Sequence, residues 1–137
     1  MIRVLIVDDS PTTRELVRAV LESDPDIVVV GEAADGTEAV DMTAQLRPDV
    51  ITMDVNMPVM NGYQATQIIM DSMPTPIVVL TTVTHEEMIH RGLDILLAGA
   101  LDIVEKPSSL TARDYQIVGE ELIAKIKAVA EVHPFRM

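Results

Sequence analysis

Five short apolar runs punctuate the chain: IRVLIV (2–7), IVVVGEA (27–33), VITMD (50–54), PIVVLT (76–81) and ALDIVE (100–105). They are rich in β-branched residues, and none alternates cleanly between apolar and polar positions. That is the pattern of strands covered on both faces. The segments between them carry apolar residues at helical spacing instead. The first predicted helix takes Ser10 as N-cap and Pro11 in its first turn, and runs to about residue 23. A second covers 36–46 and stops before Pro48, and a third starts near Asn61. A fourth is expected over 85–98, with Ile89, Leu93, Leu96 and Leu97 at helical spacing. A fifth, over 111–132, aligns Val118, Leu122, Ile126 and Val129 on one side.

Five strands alternating with five helices predict an α/β fold. The expected form is a doubly wound, five-stranded parallel sheet with right-handed crossovers and helices on both faces. A chain of 137 residues suits one domain, expected over 1–132, with 133–137 a tail or the start of a linker.

Charge and composition narrow the partners. Asp plus Glu number 22 and Lys plus Arg 10, a formal charge of −12. Such a surface repels nucleic-acid backbones and anionic membranes, and favours a metal cation or a basic partner. The absence of cysteine excludes disulfides, thiolate metal sites and cysteine catalysis. The apolar run at the start is too short for a signal peptide or a membrane span. A soluble, cytoplasmic protein without membrane insertion is expected.

In a doubly wound sheet, ligands bind beyond the carboxyl ends of the strands, where strand order reverses. The first predicted strand runs into Asp8 and Asp9, and the third ends on Asp54. In the five-stranded order 2-1-3-4-5 these strands are neighbours at the reversal, so three carboxylates converge on one crevice. Such a cluster is costly unless a cation joins it. An all-oxygen donor set favours a hard ion, Mg²⁺ before Ca²⁺. The fourth strand ends on Thr81, and Lys106 follows the fifth. An anion bonded to Asp54 could then meet a hydroxyl, an ammonium and a metal ion, which is the equipment of phosphoryl transfer.

The blocks VLIVDDS, DVNMPVMNG, VVLTT and DIVEKP resemble the signature blocks of bacterial response-regulator receiver domains of two-component systems. The likeness covers about residues 2–130, with the blocks in the family's order and spacing. It implies a flavodoxin-like fold and Asp54 as phosphoacceptor for a histidine kinase. It also implies Mg²⁺ ligated directly by Asp9, by Asp54 and by the backbone carbonyl of Asn56, with Asp8 acting mainly through water. Thr81 matches the family's switch hydroxyl and Lys106 its phosphate-binding lysine, and the Lys106–Pro107 peptide is expected to be cis. The resemblance places the output, toward a partner or an output domain, on the face of the fourth predicted helix, fifth strand and fifth helix. Met88 and Ile95 are candidates for part of that surface.

Within the family, SDPDIVVVGEAADG, RPDVITMDVNMPVMNG, PTPIVVLTT and ALDIVEKPSS are most similar to the receiver half of chemotaxis protein-glutamate methylesterase. Two positions depart from that relative. Asn56 stands where a Glu is usual, and Ile103 where an aromatic is usual. A receiver that stands alone and the regulatory fragment of a methylesterase both fit, since no G-x-S-x-G elbow is present. A Mg²⁺-dependent aspartyl-phosphate phosphatase fits less well, because Asn56 cannot protonate a leaving group. In HEEMIH, His85 and His90 are five apart and do not share a helix face, which argues against zinc. No glycine-rich phosphate loop is present, so adenine nucleotides are not expected as ligands.

Overall fold

The computed structural model describes residues 1–82, 98–107 and 111–131. Its five strands are β1 (Ile2–Val7), β2 (Ile27–Ala33), β3 (Val50–Met53), β4 (Ile77–Thr81) and β5 (Asp102–Glu105). All pair in parallel in the order β2-β1-β3-β4-β5, the flavodoxin-like arrangement expected. The helices among the described residues are α1 (Pro11–Glu22), α2 (Gly36–Leu46), α3 (Gly62–Ser72) and α4 (Ala112–Ala130). These correspond to the first, second, third and fifth predicted helices. The fourth, over 85–98, lies almost wholly outside the described residues, and with it Met88, Ile95 and the histidine pair.

The near-continuous apolar strands are explained by which side each residue serves. In β1, Val4 and Ile6 join Val50, Val78 and Leu80 under α1 and α4, where Val17, Leu21, Leu122 and Ile126 complete one core. Leu5 and Val7 point the other way. They meet Ile51, Met53, Ile77 and Val79 under α2 and α3, with Ala39, Ala65 and Ile69. Alternation is present, but both faces are dry, so polarity does not record it.

Each of the four described helices starts on a side-chain cap. Ser10 accepts from the Thr13 N–H, Asp35 from Glu38 and Thr111 from Asp114. Asn61 and Gln64 satisfy each other's backbone donors in a capping box at the start of α3. These caps lie at the strand-to-helix turns, and so order the rim of the crevice.

Between β3 and α3 the chain makes a tight turn at Val59. The Met60 N–H donates to the Pro58 carbonyl at 2.7 Å, and Val59 has φ 66°. This is the rarer, positive-φ form of γ-turn, uncomfortable for a β-branched side chain. Val59 is also exposed, so little packing repays the conformation. Val59→Gly is expected to raise stability by about 1 kcal/mol in urea melts; a loss of stability would show that the side chain has a compensating contact.

Candidate functional site

Parallel pairing places the acids. β1 and β3 run in register from Val4 opposite Val50 to Val7 opposite Met53. Asp8 and Asp54 therefore leave neighbouring strands at the same level, and the Asp54 N–H donates to the Val7 carbonyl at 2.9 Å. Asp9 follows at the exposed rim, while Asp8 and Asp54 are buried. One carboxylate oxygen from each of Asp8, Asp9 and Asp54 lies within 4.8 Å of the others. The three acids read from the sequence do converge.

Lys106 closes the cluster from the far edge of the sheet. β4 and β5 pair Thr81 with Glu105, and the Lys106 N–H donates to the Thr81 carbonyl at 2.8 Å. This brings the lysine and the buried Thr81 to the same end of the sheet as the acids. The Lys106 Nζ lies 2.6 Å from Asp8 Oδ2 and 3.3 Å from Asp54 Oδ2, with only 7% of its side chain exposed. Asn56 sits in the exposed loop two residues after Asp54. The Lys106–Pro107 peptide, expected to be cis, is trans. Trans is the intrinsically preferred isomer of an X–Pro bond.

The electrostatics follow from burial. Desolvation pushes the Asp54 carboxyl up to about 6; Lys106 pulls the other way, and the nearby charges of Asp8 and Asp9 add to the rise. For Lys106, burial works against the ammonium, but Asp54 and Asp8 outweigh it and the pKa is raised. Lys106 thus stays charged, while burial disfavours the ionised form of Asp54.

Two residues that shape this site were not singled out from the sequence. Gly62 opens α3, and its N–H donates to the Val55 carbonyl at 2.9 Å. A Cβ there would overlap the carbonyl oxygen of Asp54 and approach the Asp54 carbonyl carbon and Val55 Cα to 2.9 Å. Asn-Gly after the strand signals a turn, but not that a backbone passes so near. The other is Arg14, which reads in sequence as an ordinary polar position on an amphipathic helix. Its Nη1 donates to the Asp8 carbonyl at 2.8 Å.

A family model, described as the response regulator receiver domain, matches residues 4–113. The chain belongs to this receiver family. The receiver is 48% identical over 136 residues to a protein-glutamate methylesterase/protein-glutamine glutaminase of Syntrophus aciditrophicus (strain SB). That match covers 99% of the receiver and 39% of the relative, so the chain spans about two fifths of the length of such proteins. Among solved structures, the response regulator domain of Thermotoga maritima CheB superposes with a TM-score of 0.90 at 40% identity, covering 98% of the receiver and 99% of that chain. A chain of the CheX–CheY–BeF3–Mg²⁺ complex from Borrelia burgdorferi gives 0.76 at 25% identity, covering 93% and 88%. The resemblance to CheB-type chemotaxis receivers holds in both sequence and structure. No helix among the described residues is long and apolar enough to cross a membrane.

Proposed function

We propose that this receiver accepts a phosphoryl group on Asp54 from a phosphohistidine of a chemotaxis-type kinase, and passes the change to an output. The observation that carries the reading is the three-carboxylate cluster with Lys106 in contact, built on a buried strand-end aspartate. The donor set fits Mg²⁺, being all oxygen, anionic and close enough for one ion. Asp8, Asp9, Asp54 and the Asn56 carbonyl would hold it, Asp8 mainly through water. When bound, it would supply charge neutralisation for the approach of an anionic donor.

The remaining work falls to the chain. An Asp54 carboxylate oxygen attacks phosphorus, the bond from phosphorus to the donor nitrogen breaks, and its electron pair stays with the imidazole. The β3 strand holds Asp54 rigidly in line. As negative charge moves onto the phosphoryl oxygens, the Lys106 ammonium follows it from the carboxylates. The Thr81 hydroxyl, one strand away, donates to a phosphoryl oxygen. Binding, positioning and charge balance are all that such a transfer demands of the protein.

The output is proposed to lie on β5, α4 and the segment 85–98. Lys125 of α4 already ties that helix to β5, donating to Asp102 Oδ1 and to the Ile103 carbonyl at 3.0 Å each. Ile103 is half-buried, and its branched side chain has fewer rotamers than an aromatic at that position would use. The reading includes a domain spanning 1–132, a cytoplasmic setting, and no catalysis beyond accepting and losing the phosphoryl group. Where the parent protein extends as its relatives do, the regulated partner is a methylesterase domain.

Acetyl phosphate and Mg²⁺ should add one phosphoryl group that hydroxylamine removes, as it does an acyl phosphate, and EDTA should prevent the labelling. A hydroxylamine-resistant ester, or equal labelling in EDTA, would defeat the proposal.

A further inference from the structure

Asp8 is held at all four of its polar atoms. Its N–H donates to the Ala33 carbonyl at 3.0 Å, and its Oδ1 accepts from the Ser10 N–H at 2.9 Å. Its Oδ2 meets Lys106 at 2.6 Å, and its carbonyl accepts from Arg14 Nη1 at 2.8 Å. The first two partners come with the fold, since they are backbone groups of the β2 end and the helix cap. Lys106 is part of the cluster itself. Among these four partners, Arg14 is the one that reaches in from outside.

Its guanidinium is placed for that task. The side chain is only 18% exposed, and its Nε is held by Glu32 Oε1 of β2 at 3.2 Å. The other oxygen of Glu32 accepts from Arg18 Nη1 at 2.5 Å, one turn further along α1. β1 ends at Val7, so the Asp8 carbonyl lies beyond the last strand residue. A planar fork anchored at both sides is well suited to fix such a peptide.

We infer that Arg14 is a positioning residue for the cation site: by clamping the Asp8 carbonyl it sets the direction in which Asp8 and Asp9 leave β1. The inference rests on the proposed Mg²⁺ site and adds a support outside the ligands. Arg14 touches neither ion nor phosphoryl group; it acts through the peptide that carries two of the acids. Partners of this kind commonly change metal affinity by about ten- to a hundredfold when removed.

The sign of the effect separates this from simpler roles. Arg14 is a cation beside a cation site, so by charge alone its removal should tighten Mg²⁺ binding. A merely structural role would lower thermal stability and leave the affinity of the folded protein unchanged. A clamp predicts weaker binding. Calorimetric titration of the full chain with Mg²⁺ alone should show affinity falling about tenfold in Arg14→Met. Arg14→Lys keeps the charge but not the fork, and should fall by a smaller factor; it also serves should the Met variant not fold. Amide exchange of Asp8, Asp9 and Ser10 in metal-free protein should quicken in both. Affinity equal to or tighter than that of the unaltered chain would overturn the inference and leave the metal site standing. Failure of the unaltered chain to bind Mg²⁺ at all would overturn both.

Discussion

Asp54→Asn is expected to abolish phosphoryl acceptance while making the metal-free protein more stable. The first half follows from chemistry, since a neutral amide is no nucleophile for phosphorus and the labelled acyl phosphate cannot form. The second follows from burial. The Asp54 carboxyl sits near 6 in the folded chain against an ordinary 3.8, so folding favours the protonated form. Below about pH 4 the acid is protonated in both states, and the two proteins should be alike. As pH rises through 6, the native state must carry an ion it solvates poorly, and wild type loses ground. Above pH 7 the difference should reach about 2–3 kcal/mol in favour of Asn. Denaturant melts in EDTA at pH 4 and pH 8, beside labelling with acetyl phosphate, check both halves. A variant that takes label at the wild-type level, or is less stable at pH 8 than at pH 4 relative to wild type, would contradict the account. The opposition is the usual relation of a functional group to its scaffold: the residue placed for chemistry is a burden on the fold.

The second large effect is structural. Gly62→Ala should destabilise the domain by about 3 kcal/mol or more and weaken the site with it. The new methyl group would overlap the Asp54 carbonyl, and the next nearest atoms are also backbone, the Asp54 carbonyl carbon and Val55 Cα. No rotamer can relieve that contact. Either the first turn of α3 moves out or the Asp54 peptide moves back, and the latter displaces the carboxylate itself. Gly31→Ala is the natural control. There a Cβ would meet Met42 Cε at 2.7 Å and Leu46 Cδ1 at 2.8 Å, both far ends of flexible side chains. It should cost about 1 kcal/mol or less. Equal melting temperatures for the two variants would show that the α3 start yields more easily than its contacts imply.

Much of this was legible in the chain. The strands fall within a residue or two of the apolar runs, because a strand dry on both faces leaves an uninterrupted record. The convergence of Asp8, Asp9 and Asp54 followed from topology, since parallel order fixes which strand ends are neighbours. What stayed hidden has two physical sources. Gly62 is needed for a close backbone approach, and a turn motif gives no measure of distance. Arg14 works through a hydrogen bond to a main-chain carbonyl, and backbone acceptors have no letter in the sequence. The Lys106–Pro107 peptide went the other way. It was expected to be cis by family likeness and is trans, a choice that the residue names alone leave open.

The place of Lys106 bears on how the protein is made. Three carboxylates meet in the crevice, yet one ammonium already lies against two of them. A newly synthesised chain therefore brings its own counter-ion, contributed by the last strand of the sheet to residues at the ends of the first and third. Closure of that contact needs the strands on either side of the reversal to be in place. The crevice thus has a charge partner from the chain itself, and an ion held as proposed would enter it already partly neutralised. Bound as proposed, the metal would be a ligand of the folded domain and not a condition of its folding.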